Sequence, residues 1–256
     1  MHGISFDRAA GYYDATRGLP DRVREALAEI LAAELEGRER CLEIGVGTGR
    51  IALPLHERGV RLAGADIAPA MLERLIANAG GRPPFPLMLA DATLLPLAGS
   101  SFDAVLASHV LHLIPDWKAA VDEAMRILRP GGVLLADFGG GTPAPWSASS
   151  AEVLRRHRIA RGQAGAGGPY DVAGHLAPRA TVRPLPPAGM KVRRSLGQDL
   201  DEWECQIQSW TWPYSPQQLH EACDDIRAWA AARNWPLDRE VELERIIQWW
   251  AFEQDH

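Results

Sequence analysis

The sequence predicts a doubly wound α/β fold, in which a mostly parallel sheet carries helices on both faces. Three observations predict it. From residue 39 to 138, short apolar runs alternate with helical segments of about ten residues, a spacing that parallel crossovers require. The stretch "CLEIGVGTGR" sets Gly45, Gly47 and Gly49 on alternate positions directly after an apolar strand. Acids close successive strands at Glu43, Asp66 and Asp91, where open α/β sheets hold their ligands.

The elements follow in order. Between Pro20 and Gly37, Val23, Leu27, Ile30, Leu31 and Leu35 recur at steps of three and four, which predicts an amphipathic helix that stops at the glycine. "RCLEIG" reads as a buried strand and "GRIALPLHERG" as a helix whose Pro54 fits only near its start, where N–H groups lack partners anyway. "VRLAGAD" is a strand, "PAMLERLIANAGG" a helix and "FPLMLAD" a strand. "SFDAVLASHVL" is a strand running into a loop, "DWKAAVDEAMRIL" a helix and "GGVLLADF" a strand.

Beyond Phe138 the pattern loosens. "GGGTPAPWSASS" is a breaker run, and "QAGAGGPYDVAG" and "PRATVRPLPPAG" are too rich in Gly and Pro to predict core elements. "MKVRRSL" and "VELERIIQWWAF" are expected to pair antiparallel and finish the sheet. The expected division is a helical cap over 1–38, a core over 39–138, a lid insertion over 139–189 and sheet-completing strands with a helical insertion over 190–256, all in a single compact domain.

With 256 residues, 46% hydrophobic and 23% charged, the chain is long enough to bury a sizeable core. A net charge of −6 gives no overall footprint for nucleic acid or an anionic membrane, so neither is expected as a partner. Cys41, Cys205 and Cys223 have no metal-ligand or disulfide spacing, and charges interrupt the first thirty residues, so a cytoplasmic protein is expected. The sequence leaves the oligomeric state open.

A glycine loop after a strand commonly receives a pyrophosphate, but this one departs from that pattern twice. Arg50 stands where the dinucleotide fingerprint needs a small residue, and Glu43 lies where a phosphate would meet a like charge. Two such charges about 4 Å apart repel by roughly 4 kcal/mol at an effective dielectric of 20. The ligand expected is therefore cationic: S-adenosylmethionine carries an ammonium and a sulfonium and no phosphate. Gly45, Gly47 and Gly49 would admit its methionine portion, Asp66 would accept both ribose hydroxyls, and Asp91 and the Ala92 N–H would meet the adenine.

"LEIGVGTGR", "GADIAPAMLERL", "ADATLLPLAGSSFDAVLASHVLHLIPDW" and "RILRPGGVLLADF" together resemble the successive motifs of class I S-adenosylmethionine-dependent methyltransferases, in the subgroup with quinone-biosynthesis and small-molecule enzymes. The resemblance spans about residues 41 to 138. It implies a Rossmann-like, seven-stranded, mostly parallel sheet with its last strand antiparallel, and methyl transfer to a small-molecule acceptor. It also implies Glu43, Gly45 and Gly47 at the methionine moiety, Asp66 and Ile67 at ribose and adenine, Asp91 and Ala92 at the adenine, and Ser108 near the sulfonium. "FDRAAGYYDATRG" is similar to the family's first helix, which implies Tyr13 and Arg17 near the cofactor carboxylate. Two other readings stay open: a protein of this fold that binds the cofactor or its product without acceptor chemistry, and an NAD-dependent oxidoreductase.

Further candidates lie outside these motifs. His109 follows the fourth strand, where an imidazole could deprotonate an acceptor; a packed ring is the alternative, more so for His112. Between residues 151 and 200, nine basic side chains face only Glu152, Asp171 and Asp199, which fits either a lid for an anionic acceptor or a solvated face. Trp203, Trp210, Trp212, Trp229, Trp235, Trp249 and Trp250 are expected mainly as core, with Trp210 or Trp212 a candidate for the acceptor pocket. Tyr170 is a candidate lid residue. No spacing predicts a metal site.

Overall fold

The computed structural model describes residues 5–162 and 164–254. In chain order the helices are α1 (Tyr13–Arg17), α2 (Asp21–Glu34), α3 (Ala52–Glu57), α4 (Pro69–Asn78), α5 (Trp117–Ile127), α6 (Ser147–Arg156), α7 (Pro169–Leu176), α8 (Leu196–Glu204) and α9 (Pro216–Ala231). The strands are β1 (Cys41–Ile44), β2 (Leu62–Asp66), β3 (Leu87–Leu89), β4 (Phe102–Ser108), β5 (Leu128–Asp137), β6 (Ala180–Pro184), β7 (Ala188–Arg194), β8 (Val241–Ile247) and β9 (Trp249–Gln254). They build two compact units rather than the expected single domain. The first holds residues up to 139, 164–188 and those from 247; the second holds 140–162 and 189–246.

The first unit contains a seven-stranded sheet in the order β3-β2-β1-β4-β5-β9-β6. β1 to β5 pair in parallel, with Leu42 opposite both Ala63 and Val105, and Val105 opposite Leu134. β9 runs antiparallel between β5 and β6. The central strands are buried on both faces, which is why they read as continuous apolar runs: Leu42, Ile44, Val105, Ala107, Leu134 and Ala136 sit in one core. From β1 the order proceeds outward in both directions, so the loops after β1 and β4 part and leave a crevice between them.

Local signals explain the flanking helices. α2 buries Val23, Leu27, Ala28 and Leu31 on one stripe. Pro54 falls in the first turn of α3, where no intrahelical bond is lost, so it kinks nothing. Pro69 is the first residue of α4, and α5 is capped by the Asp116 carboxylate on the Ala119 N–H.

The sheet ends differently from the expectation. "MKVRRSL" is β7, and it pairs with β8 in a separate two-stranded sheet instead of joining the main one. The edge strand is β6, from the Pro-rich segment set aside as non-core. Pro184 closes that strand at the sheet edge, where a missing N–H leaves no ladder partner unsatisfied. The final apolar stretch divides at Gln248 into β8 and β9, and only β9, which buries Trp249, Ala251 and Phe252, joins the seven-stranded sheet.

The lid expected over 139–189 is also divided. Residues 164–188 belong with the first unit, where Ala166, Val172 and Leu176 are buried. Gly165 and Ala166 donate to the carbonyls of His112 and Leu111, and a Cβ on Gly165 would lie 2.1 Å from the Leu111 oxygen, so this glycine permits close backbone packing.

The second unit packs α6, α8 and α9 around Trp146, Leu154, Leu200, Trp203, Leu219 and Ile226. Ser195 and Gln198 form a capping box on α8, and Ser215 caps α9. Of the tryptophans here Trp146 and Trp203 are buried core, and Trp210, Trp229 and Trp235 pack partly buried against it. Trp210 packs edge to face on Trp203, and Arg161 lies over both rings.

Candidate functional site

The crevice of the first unit holds a cavity of about 710 Å³ including its open mouth. Its polar lining comes from Gly45, Gly47, Asp66, Asp91, Ser108 and His109, and its apolar lining includes Phe6, Ile67, Met71, Val110, Leu113 and Ile114. Of the expected residues, Tyr13, Gly45, Gly47, Asp66, Ile67, Asp91, Ala92, Ser108 and His109 line it. Glu43, Gly49 and Arg17 do not.

The glycine loop turns sharply out of β1. Gly45 has φ +64°, and a Cβ there would sit 2.5 Å from Val110 Cγ2, so only glycine fits between the strand end and the wall of the cavity. Asp66, at the end of β2, fixes the loop from the other side. Its Oδ2 accepts the Gly47 N–H at 2.8 Å and its Oδ1 the Ala68 N–H at 2.9 Å. Burial raises its pKa against these bonds. Asp91 accepts the N–H and hydroxyl of Thr93 through Oδ1, which orients the carboxylate beside the cavity.

Glu43 corrects the first electrostatic expectation. It is 1% exposed and lies in the interior because β1 is central and buried on both faces. It takes a hydrogen bond from the Ala52 N–H, and its Oε2 has no hydrogen-bond partner. Burial pushes its pKa up to about 8, against the pull of the nearby Arg50 guanidinium. The charge argument moves to the cavity wall itself. Among the described residues that wall holds two carboxylates and no lysine or arginine, a donor set that favours a cation and opposes a phosphate.

The N-terminal segment is fastened to this site by a residue the sequence reading missed. Asp14 accepts from Thr48 Oγ1 at 2.6 Å and from Arg74 and Asn78 at 3.0 Å, joining α1 to the glycine loop and α4. These partners hold its pKa below the ordinary value although partial burial acts in the opposite sense. Phe6 and Tyr13 thereby reach the cavity, with their rings edge to face at 6.0 Å. Arg17 contributes a backbone carbonyl to Arg50 at 3.3 Å, and the other Arg50 nitrogen bonds Ser108 Oγ at 3.3 Å.

His109 lines the cavity at φ +50°, a backbone conformation uncommon outside glycine. Its Nε2 is 3.4 Å from Oδ2 of Asp137, a buried acid at the end of β5. Desolvation raises the Asp137 pKa, opposed by the Gly139 N–H, Arg50 and His112. Asp137 was legible in principle, since it ends a strand as Asp66 does. His112 lies behind His109, with ring centroids 5.6 Å apart; burial pushes its pKa down to about 4, so it is a packed neutral ring.

The basic stretch is largely paired with acids, some local and some distant in sequence. Arg179 pairs with Asp122, Arg183 with Glu34 and Glu253, Lys191 with Glu242, and Arg194 with Asp199 and Glu202. Tyr170 is exposed and stacks its edge on Trp250, and neither Trp210 nor Trp212 lines the cavity.

Fold and cavity together define an α/β protein of the doubly wound class with a crevice beyond the ends of its central strands. A family model described as a methyltransferase domain matches residues 42–136. The chain is 37% identical over 131 residues to an uncharacterized methyltransferase of Mycobacterium bovis, covering 51% of this chain and 50% of that protein. It is 32% identical over 157 residues to the demethylmenaquinone methyltransferase of Streptomyces avermitilis (59% and 66% covered). It is 33% identical over 161 residues to the malonyl-[acyl-carrier protein] O-methyltransferase of Geobacter sulfurreducens (62% and 60%). The chain spans about half the length of the curated relatives it matches first. In fold it is similar to the YcgJ protein of Bacillus subtilis, with a TM-score of 0.60 at 17% identity over 90% of this chain and 99% of that one. It is also similar in fold to Haemonchus contortus phosphoethanolamine N-methyltransferase 2 solved with S-adenosylhomocysteine, with a TM-score of 0.56 at 16% identity over 98% and 58%. Over residues 42–136 the chain thus matches a methyltransferase domain, and its fold is one shared by a solved methyltransferase.

Proposed function

We propose that the protein transfers a methyl group from S-adenosylmethionine to a small-molecule acceptor. The observation that carries this is the cavity wall: glycine backbone and two carboxylates, with no lysine or arginine among the described residues. When bound, the cofactor supplies an electrophilic methyl on a positively charged sulfur. Asp66 is the group for the ribose hydroxyls, Ile67, Asp91 and Ala92 for the adenine, and Gly45, Gly47 and Tyr13 for the methionine portion. Ser108 is the residue for the sulfonium end.

The chain's main task is alignment and exclusion of water, which can supply roughly 7 to 11 kcal/mol of the barrier. Phe6, Met71, Val110, Leu113 and Ile114 make much of the wall apolar, which suits dehydration of the reacting groups. His109 is the group to receive a proton from an acceptor hydroxyl or amine. The names of the relatives that act on demethylmenaquinone and on a malonyl thioester carrier support testing quinols and carboxylates first.

Calorimetry with S-adenosylmethionine, S-adenosylhomocysteine and NAD, followed by turnover on acceptor panels, tests the reading. Binding of the first two and methylation of at least one acceptor are expected. Tight NAD binding, or cofactor binding with silence across all panels, overturns it.

A further inference from the structure

We infer that Asp137 and Gly139 are positioning residues that hold His109 as the proton acceptor of the transfer step, a role that rests on the methyltransferase reading above. Four observations converge. His109 Nε2 faces Asp137 Oδ2 at 3.4 Å while the ring lines the cavity. Asp137 is itself fixed, being almost fully buried with Oδ1 on the Gly139 N–H at 2.8 Å. The ring lies against Gly139, whose φ is +70°: a Cβ there would stand 2.9 Å from His109 Cε1. Finally, His109 holds a positive φ of +50°, a conformation uncommon outside glycine that surrounding structure must maintain.

The chemistry follows from the carboxylate. An acid facing Nε2 favours the tautomer with the proton on Nε2, leaving the lone pair on Nδ1, and it stabilises the imidazolium formed when that lone pair takes a proton. The acceptor's O–H or N–H bond breaks, its proton goes to Nδ1, and its electron pair closes the bond to the transferred methyl carbon. The C–S electron pair stays on sulfur as a neutral thioether, and the imidazolium later returns its proton to water. Arg50 and His112 are the other charged or titratable groups facing Asp137, so the carboxylate is shared between a permanent cation and two rings.

The test uses Asp137→Asn, Gly139→Ala and His109→Gln in the full chain. Long-range proton–nitrogen NMR of the histidine rings in the protein alone reads the His109 tautomer, with His109→Gln supplying the assignment. An Nε2–H tautomer in the native protein that is lost in Asp137→Asn is expected; an Nδ1–H tautomer, or one indifferent to Asp137→Asn, overturns the inference. With an acceptor from the panels, Asp137→Asn should lower kcat about 10²-fold or more with cofactor affinity within about twofold, and move the acidic limb of the kcat profile to lower pH. Unchanged kcat in both Asp137→Asn and His109→Gln also overturns it. Gly139→Ala, which keeps the carboxylate and displaces the ring, should lose kcat as well. If S-adenosylmethionine fails to bind while the tautomer result holds, the functional reading fails and the His109–Asp137 pair stands, so the two failures are distinguishable.

Discussion

The buried Glu43 makes stability depend on pH in a direction opposite to most carboxylates. Its carboxyl is 1% exposed, and its pKa rises from an ordinary 4.5 to about 8 because ionisation would leave a charge in the interior with only the Ala52 N–H and Arg50 to offset it. A group whose folded pKa is raised contributes stability that is fully present below the unfolded pKa and is lost as pH climbs through the folded one. The window is therefore about pH 4.5 to 8. The shift sets a ceiling of about 5 kcal/mol on the stability lost across it, at 1.36 kcal/mol per unit. For a chain of this size that corresponds to a melting-temperature change of up to about 10 °C. Glu43→Gln keeps the neutral shape and removes the titration. Thermal melts of both proteins from pH 5 to 9 should show the native protein losing ground to the variant as pH rises, because other carboxyls cancel in the difference. A difference that stays flat across that range would refute a proton held on Glu43.

Three further outcomes are expected. Asp66→Ala should weaken S-adenosylmethionine binding by about 1.5 to 3 kcal/mol, since it removes a charge-assisted acceptor and frees the Gly47 N–H; calorimetry reads this directly. Asp14→Ala should cost about 1 to 2 kcal/mol in stability and loosen the segment carrying Phe6 and Tyr13, seen as faster proteolysis before residue 20 together with weaker cofactor binding. Gly45→Ala combines a positive φ with a Cβ 2.5 Å from Val110, so it should depress cofactor affinity at least tenfold while far-UV circular dichroism changes little.

The site was legible where chemistry is tied to strand ends. Asp66, Asp91 and the glycines announce themselves because a parallel sheet ends all its strands on one side, and the residues there face the crevice. Glu43 shares that sequence context yet sits beneath the loop, since side chains alternate along a strand and only packing decides which one reaches the cavity. Asp14 was not legible: its partners Thr48, Arg74 and Asn78 lie 30 or more positions away, and no local pattern marks such contacts. The partners of the basic stretch between 151 and 200 were hidden for the same reason, as Glu34, Asp122 and Glu253 arrive from elsewhere in the chain.

By itself, then, the sequence determined the alternating strands and helices and the crevice at the strand ends, because periodicity, glycine spacing and strand-terminal acids are local properties. Only the tertiary structure decided that β6 and β9 rather than β7 complete the sheet, that Glu43 is buried and protonatable, and that Asp137 faces His109. Each of these depends on which distant segments exclude water from one another, and exclusion of water is a property of the packed chain.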